Sequence, residues 1–267
     1  MQFLKVPASA KRSVLTGLSI CQETIVFMHV GPEQLVGKIK IKGCKHEDRV
    51  GGTSWNTAAV CAYTFGLDTL VAGAIGNNDS LTLNELAEKQ SREYGFQLKL
   101  LRWREKTSRA TVLTQHDSQG ESPLFSEKPD YNQSNPAELL QLIQNESPAI
   151  FAATGVSNAT EASLFQQCFR QTKAVKILNP RSELIQLGTP FYNLLPDTDL
   201  LVLNLSELST ALNQVLTATQ VTPELLKPLH VNGIKTIIVT CNMYGVFMSN
   251  PENDIWIEKR ARILGDV

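Results

Sequence analysis

The run Gly51-Gly52-Thr-Ser-Trp-Asn56 is the sharpest chemical feature of the chain. Adjacent glycines let a backbone approach a ligand closely, the N–H groups at a helix start point at oxygens, and the Asn56 amide offers both donor and acceptor. Such a group of atoms suits a polyhydroxylated ligand. A tight turn with no ligand is the plainer alternative, and these residues alone leave both open. Elsewhere the chemistry is thinner. Cys44-Lys-His46 places two metal-binding side chains together with no second pair to complete a site, so no zinc centre is expected. Lys38, Lys40 and Lys42 alternate with Ile39 and Ile41, the pattern of a strand with one wet face; a lysine-guarded edge explains them more simply than a phosphate-attracting stripe does. No Ser-His-Asp or Cys-His arrangement follows from residue order.

Composition narrows the field. With 267 residues the chain can bury a sizeable core, and its net charge of −1 provides no global field to attract nucleic acid, so an anion site has to be built locally. The five cysteines, Cys21, Cys44, Cys61, Cys168 and Cys241, are widely spaced and read as free thiols. No segment has the length and apolar content of a signal peptide or a membrane span, and the expected location is the cytoplasm.

The elements that must position these residues alternate. After the β-rich run Ser13 to Cys21 and a second apolar run from Thr24 to Met28, the glycine turn opens an alanine-rich helix over Ser54 to Phe65, and Thr69 to Ile75 reads as a buried strand. Helices are expected over Leu81 to Tyr94, Pro136 to Asn145, Ala159 to Gln171, Glu207 to Leu212 and Pro223 to Val231. Strands are expected over Ala149 to Ala153, Ala174 to Leu178, Leu200 to Leu203 and Lys235 to Thr240. This order predicts an α/β fold with a doubly wound, mostly parallel sheet, as a single domain over residues 1–267. Two stretches, about 24–49 and 109–126, lack intervening helices and are expected to pair as a small β-sheet flap.

Several short motifs now fall into one order. Gly51-Gly52 with Asn56 before an alanine-rich helix is followed by Gly76-Asn-Asn-Asp79, Asn179-Pro180, Asn204-Leu-Ser-Glu207 and Thr240-Cys-Asn-Met-Tyr-Gly245. The series resembles the signature regions of the ribokinase-like (PfkB) carbohydrate kinases, from Ser13 to the last residue. The resemblance implies a substrate site at Gly51, Gly52 and Asn56, closed by the flap, and a nucleotide site near Asn179, Thr240, Asn242 and Gly245. It also implies that Asn204 and Glu207 organise Mg2+ and its waters, a role open to oxygen donors. Apart from the family, Glu207 reads as a first-turn helix carboxylate favoured by the dipole.

Departures from the family pattern are equally specific. Where family members place an aspartate five residues after the first-strand glycine, counting from Gly17 gives Gln22, a neutral and weaker partner for hydroxyls. Asn78 and Leu81 replace an aspartate and a glycine, and Asn242 replaces the middle glycine of the Thr-x-Gly-x-x-Gly loop. The Gly-Ala-Gly-Asp that opens a late helix, forms the anion hole and supplies the catalytic base does not occur in residues 1–267, so the base is expected beyond Val267.

The resemblance thus implies ATP- and Mg2+-dependent phosphoryl transfer to a hydroxyl of a sugar or nucleoside, inactive in residues 1–267 taken alone. The alternative is a non-catalytic ligand-binding or interaction protein on the same fold. Neither nucleic acid nor a membrane is an expected partner. A homodimer through the flap would cover Ile39 and Ile41.

Overall fold

The computed structural model describes residues 10–28, 45–77, 81–115, 124–127, 135–253 and 255–259. The Lys38 to Lys42 alternation with its proposed dimer face, Cys44, Asn78 and residues 260–267 lie outside them. The chain begins with β1 (Arg12–Leu18), β2 (Cys21–Met28) and β3 (Lys45–Gly51). Helix α1 (Thr53–Ala59), which runs on as a π-helical turn over Val60–Thr64, leads to β4 (Thr69–Gly76), α2 (Leu81–Tyr94), β5 (Gln97–Arg104), β6 (Ser108–Gln115) and β7 (Leu124–Glu127). Then come α3 (Pro136–Glu146), β8 (Pro148–Val156), α4 (Ala159–Gln171), β9 (Val175–Pro180), α5 (Ser182–Gln186), α6 (Thr189–Leu194), β10 (Leu200–Asn204) and α7 (Leu205–Ala211). The chain continues through α8 (Pro223–Val231), β11 (Thr236–Thr240), β12 (Val246–Asn250) and β13 (Ile255–Lys259).

The fold is α/β, a mostly parallel sheet with helices and a separate small sheet, and the chain divides into two compact units. One unit comprises Met1–Gly17 with Asn135–Val267, and the other Leu18–Ser134. In the first, β8, β9, β10 and β11 run parallel in that order, and β12 and β13 add an antiparallel edge. These parallel strands are short apolar runs because helices shield them. Helix starts are written into the sequence: Asn135 and Thr222 each precede a proline and cap α3 and α8, and Asn158 caps α4 by accepting the Glu161 N–H at 2.9 Å. Phe151, Phe165 and Phe169 pack behind β8 with ring centroids 5.6 to 6.4 Å apart.

In the second unit β4 and β5 are parallel, and the small sheet runs β3-β2-β6-β7. Its two outer pairs are antiparallel, while the central pair, β2 with β6, is parallel. The edge strand β3 carries Lys45, His46, Glu47, Asp48 and Arg49, a composition that discourages pairing with a further chain. Trp55 anchors the core of this unit, edge-on to Phe96 at 4.8 Å and clustered with Ile20, Val50 and Val71. Among the described residues no helix is long and apolar enough to cross a membrane.

Candidate functional site

The carboxyl ends of β9, β10 and β11 carry the motif residues of the first unit. Asn179 is half-buried and donates from Nδ2 to the Val202 carbonyl at 3.0 Å, tying β9 to β10. Asn204 ends β10, opposite Thr240 at the end of β11, and both are exposed. Asn204 also caps α7. Its Oδ1 accepts the Glu207 N–H at 2.8 Å, and Glu207 Oε2 accepts the Asn204 N–H at 2.8 Å, a reciprocal capping box.

Burial pushes the Glu207 carboxyl up, the Asn204 N–H and the Arg181 charge pull it down, and the Glu183 charge pushes up again; the outcome is a raised pKa. A partly desolvated carboxylate with one oxygen committed to a cap retains a second oxygen. With Asn204 Oδ1 already accepting the Glu207 N–H, this second Glu207 oxygen is the one left to meet a water of hydrated Mg2+. Among the described residues no group of three or more His, Cys, Asp or Glu could itself hold a metal ion.

Beyond Thr240 the chain folds back tightly. Cys241 N–H donates to the Gly245 carbonyl at 2.8 Å, and Gly245 N–H to the Asn242 carbonyl at 3.1 Å. Asn242 takes a left-handed φ of 47° and Gly245 a φ of 102°. Asparagine tolerates this conformation better than most residues, which accounts for its presence at a turn position where glycine is the usual solution. A cavity of about 780 Å3 opens beside Asn242, lined by the apolar Leu205, Val215 and Leu216 together with uncharged polar side chains such as Gln186, Ser206 and Ser209.

In the second unit, Gly52 is the residue before α1, with φ 99°. A Cβ there would stand 2.6 Å from the Ser19 carbonyl oxygen and 2.8 Å from Ile20 Cα, and a Cβ on Gly51 would collide with the Glu23 carboxylate. The chain's own packing therefore demands glycine at 52, whereas at 51 the obstacle is the movable end of a side chain. Ser54 and Ser19 lock the turn by exchanging hydrogen bonds at 3.0 Å, Trp55 is buried, and Asn56 is exposed with no side-chain partner among the described residues.

Gln22 stands opposite Val50 across the β2–β3 pair, whereas Glu23 stands opposite Arg49. Side chains alternate along a strand, so Glu23 shares a face of the small sheet with Gly51 and Gln22 lies on the other. Glu23 accepts from Arg49 Nε at 2.7 Å and from the Cys21 thiol at 3.7 Å. This acidic residue is absent from the sequence-based site, because its face depends on a strand register that the sequence does not print. Cys61, Cys168 and Cys241 are free thiols, and burial pushes the Cys168 thiol up to about 12.

Among curated proteins none matches the chain. Solved structures share its fold at low identity. The Arabidopsis thaliana ribokinase complexed with ribose and ATP is 20% identical with a TM-score of 0.68, over 94% of this chain and 78% of that one. Escherichia coli phosphofructokinase-2 in complex with fructose-6-phosphate is 16% identical with a TM-score of 0.72, over 96% and 82%. The adenosine kinase from Sinorhizobium meliloti is 16% identical with a TM-score of 0.70, over 97% and 82%. The family model for pfkB family carbohydrate kinases matches residues 29–262, and the chain belongs to that family.

Proposed function

We propose that the protein serves ATP-dependent phosphoryl transfer to a hydroxyl of a sugar or nucleoside. The observation that carries this reading is the row of motif residues at the carboxyl ends of neighbouring parallel strands, where open α/β sheets bind their ligands. Asn179, Thr240, Asn242 and Gly245 take the nucleotide, and Asn204 with Glu207 holds Mg2+ through its waters. When bound, the metal offsets negative charge on the phosphates. On the acceptor side the exposed Asn56 amide provides hydrogen bonds, and Glu23 rather than Gln22 is the polar side chain that shares a face with Gly51.

Transfer of this kind depends on positioning and charge stabilisation more than on covalent chemistry by the protein, so these binding groups supply much of what the reaction requires. The acceptor class follows the neighbours, whose names include a ribokinase, a phosphofructokinase and an adenosine kinase. A second reading, ligand binding without transfer, draws on the capping box that occupies Glu207 and on the neutral Gln22.

A thermal-shift screen of the protein against sugars and nucleosides, with and without MgATP, tests both readings. A ligand at a hundred times its Kd stabilises the native state by about 2.7 kcal/mol, well within detection. Stabilisation by MgATP together with one acceptor class is expected. No response to MgATP alongside a clear response to a sugar or nucleoside would favour the second reading, and silence from every ligand would remove both.

A further inference from the structure

Helix α1 and the π-helical turn that extends it reverse the usual sorting of side chains by size. Ala58 and Ala62 face the core of the second unit, while the larger Val60 and Tyr63 face water. Tyr63 is 75% exposed and Phe65 67%, and Leu67 and Tyr94 join them among the exposed apolar side chains. A single exposed apolar residue is ordinary, whereas five from neighbouring elements make a surface patch. All five belong to the second unit.

The patch is held in place from beneath. Tyr63 meets Tyr94 edge-on at 6.4 Å, Tyr94 lies parallel to Phe96 at 6.4 Å, and Phe96 meets the buried Trp55 at 4.8 Å, so a train of rings runs from core to surface. At the end of the π-helical turn Leu67 N–H donates to the Cys61 carbonyl at 3.0 Å and Gly66 N–H to the Ala62 carbonyl at 2.9 Å, with Gly66 at φ 63°. This is the Schellman pattern, which closes a helix on a left-handed glycine and fixes the residues on either side, here Phe65 and Leu67. Backbone and rings are set before any partner arrives, which lowers the ordering cost of association.

Size and charge point to the occupant. At about 200 Å2 for a whole aromatic side chain, the exposed parts of the three rings come to roughly 350 Å2, and Val60 and Leu67 raise the patch to roughly 500 Å2. An interface of standard size takes about 800 Å2 from each partner, a little more than half of it apolar. The patch has the size of that apolar part. Helix α2 supplies the polar part: its last two turns, which end at Tyr94, expose Glu88, Lys89, Arg92 and Glu93, two acids and two bases. The Lys89–Glu93 and Arg92–Glu88 pairs are 3.9 Å long and open to water, so they hold their members weakly. A rim of mixed sign complements a copy of itself turned through half a circle, because each acid can face a base. An acidic or basic partner gains nothing from a rim without net charge, and an anionic membrane would call for basic flanks.

We infer that the tip formed by Val60, Tyr63, Phe65, Leu67 and Tyr94 is an interface between two copies of this chain, closed by twofold symmetry and rimmed by α2. Thr53 to Thr64 spans roughly 18 Å at 1.5 Å per residue, so the tip stands at the far end of α1 from Gly52, and pairing there leaves the glycine turn open. It shares no residue with the flap pairing expected from Ile39 and Ile41.

Sedimentation equilibrium of the full chain reads the dimer Kd in wild type, Tyr63→Ser and Phe65→Ser, and circular dichroism checks the fold. Wild type is expected to dimerise at micromolar concentration, and each serine variant to raise the Kd by about 30-fold or more, the scale of a buried aromatic anchor. A second set of variants keeps the test independent of the rings. Glu88→Lys with Glu93→Lys makes the rim wholly basic, and Lys89→Glu with Arg92→Glu makes it wholly acidic. Each double variant alone should associate about 10-fold more weakly at low salt, and an equimolar mixture of the two should recover wild-type association as a mixed pair. No recovery in the mixture would overturn the inference even if a serine variant failed to fold. A wild-type protein that stays monomeric at the highest concentration reached would overturn it too, and flotation of that monomer with phosphatidylcholine vesicles would assign the tip to a membrane instead. A dimer untouched by both serine variants would place the interface elsewhere. Growth beyond two copies would overturn the closed twofold arrangement.

Discussion

Asn204 and Glu207 each accept the other's backbone N–H at 2.8 Å, which makes the pair at the end of β10 a helix cap before it is anything else. The two roles can be separated by substitution. Asn204→Ala removes the cap and should cost about 1 kcal/mol of stability in urea unfolding. Glu207→Gln keeps a side-chain oxygen for the Asn204 N–H but loses the charge, so stability should change little while the magnesium dependence of ATP binding weakens. Full magnesium dependence in Glu207→Gln would leave the residue a cap alone.

Gly51 and Gly52 should respond differently to alanine. At Gly52 the positive φ and rigid backbone neighbours at 2.6 and 2.8 Å leave no escape, and a loss of roughly 2–4 kcal/mol is expected. At Gly51 the obstacle is the end of the Glu23 side chain, which can move aside. Gly51→Ala should therefore cost less, and its cost should shrink further in a Glu23→Ala background. An additive double-mutant cycle would remove Glu23 as the cause.

Much of this architecture is legible in the sequence, and the reasons are local. Helix α4 runs over Ala159–Gln171 as expected because Asn158 and Glu161 write its start and apolar residues at helical spacing write its inner face. Asn242, which stands where the resemblance places a glycine, adopts a left-handed backbone that asparagine tolerates. Strand β5 is missing from the sequence reading because Lys99, Arg102 and Arg104 interrupt its apolar residues. Helices α5 and α6 are too short for periodicity to declare them. The face occupied by Glu23 was hidden for a different reason: a shift of one residue in register reverses every side chain of a strand, and nothing local fixes that register.

Asp199 links three strands at the end of the sheet opposite the motif residues. Its carboxylate accepts from the Lys176 backbone N–H at 3.0 Å and pairs with Lys176 Nζ at 3.0 Å and Lys235 Nζ at 3.1 Å. Burial pushes its carboxyl up, but the hydrogen bonds from both lysines and the charge of Lys176 outweigh burial and hold it below the ordinary range. A depressed folded-state pKa gives stability that is present above the unfolded value of about 3.9 and is lost as pH falls through the folded value. Asp199→Asn should lower stability at neutral pH and flatten its decline below about pH 4. An unchanged acid limb in urea midpoints would show that another carboxylate governs it.

Binding and chemistry should also separate within this chain. The acceptor-side candidates end at Asn56 and the nucleotide-side candidates at Gly245, whereas the Gly-Ala-Gly-Asp that resemblance to the family calls for is not among residues 1–267. That segment would contribute an anion hole and a base, and electrostatic stabilisation by such donors is often the largest single contribution to rate. A polypeptide of residues 1–267 should accordingly bind MgATP and an acceptor while transferring no phosphoryl group at a measurable rate. Asn56→Ala in the same polypeptide should weaken the acceptor by about 3- to 10-fold, the usual scale for one hydrogen bond, and leave MgATP binding and the melting temperature unchanged. Coupled assays of ADP release across sugars and nucleosides, paired with calorimetry on both proteins, give the two readouts. Turnover of about 1–100 per second, the range of ordinary kinases, would mean that a carboxylate within residues 1–267 acts as the base. Equal acceptor affinity in wild type and Asn56→Ala would remove Asn56 from the site.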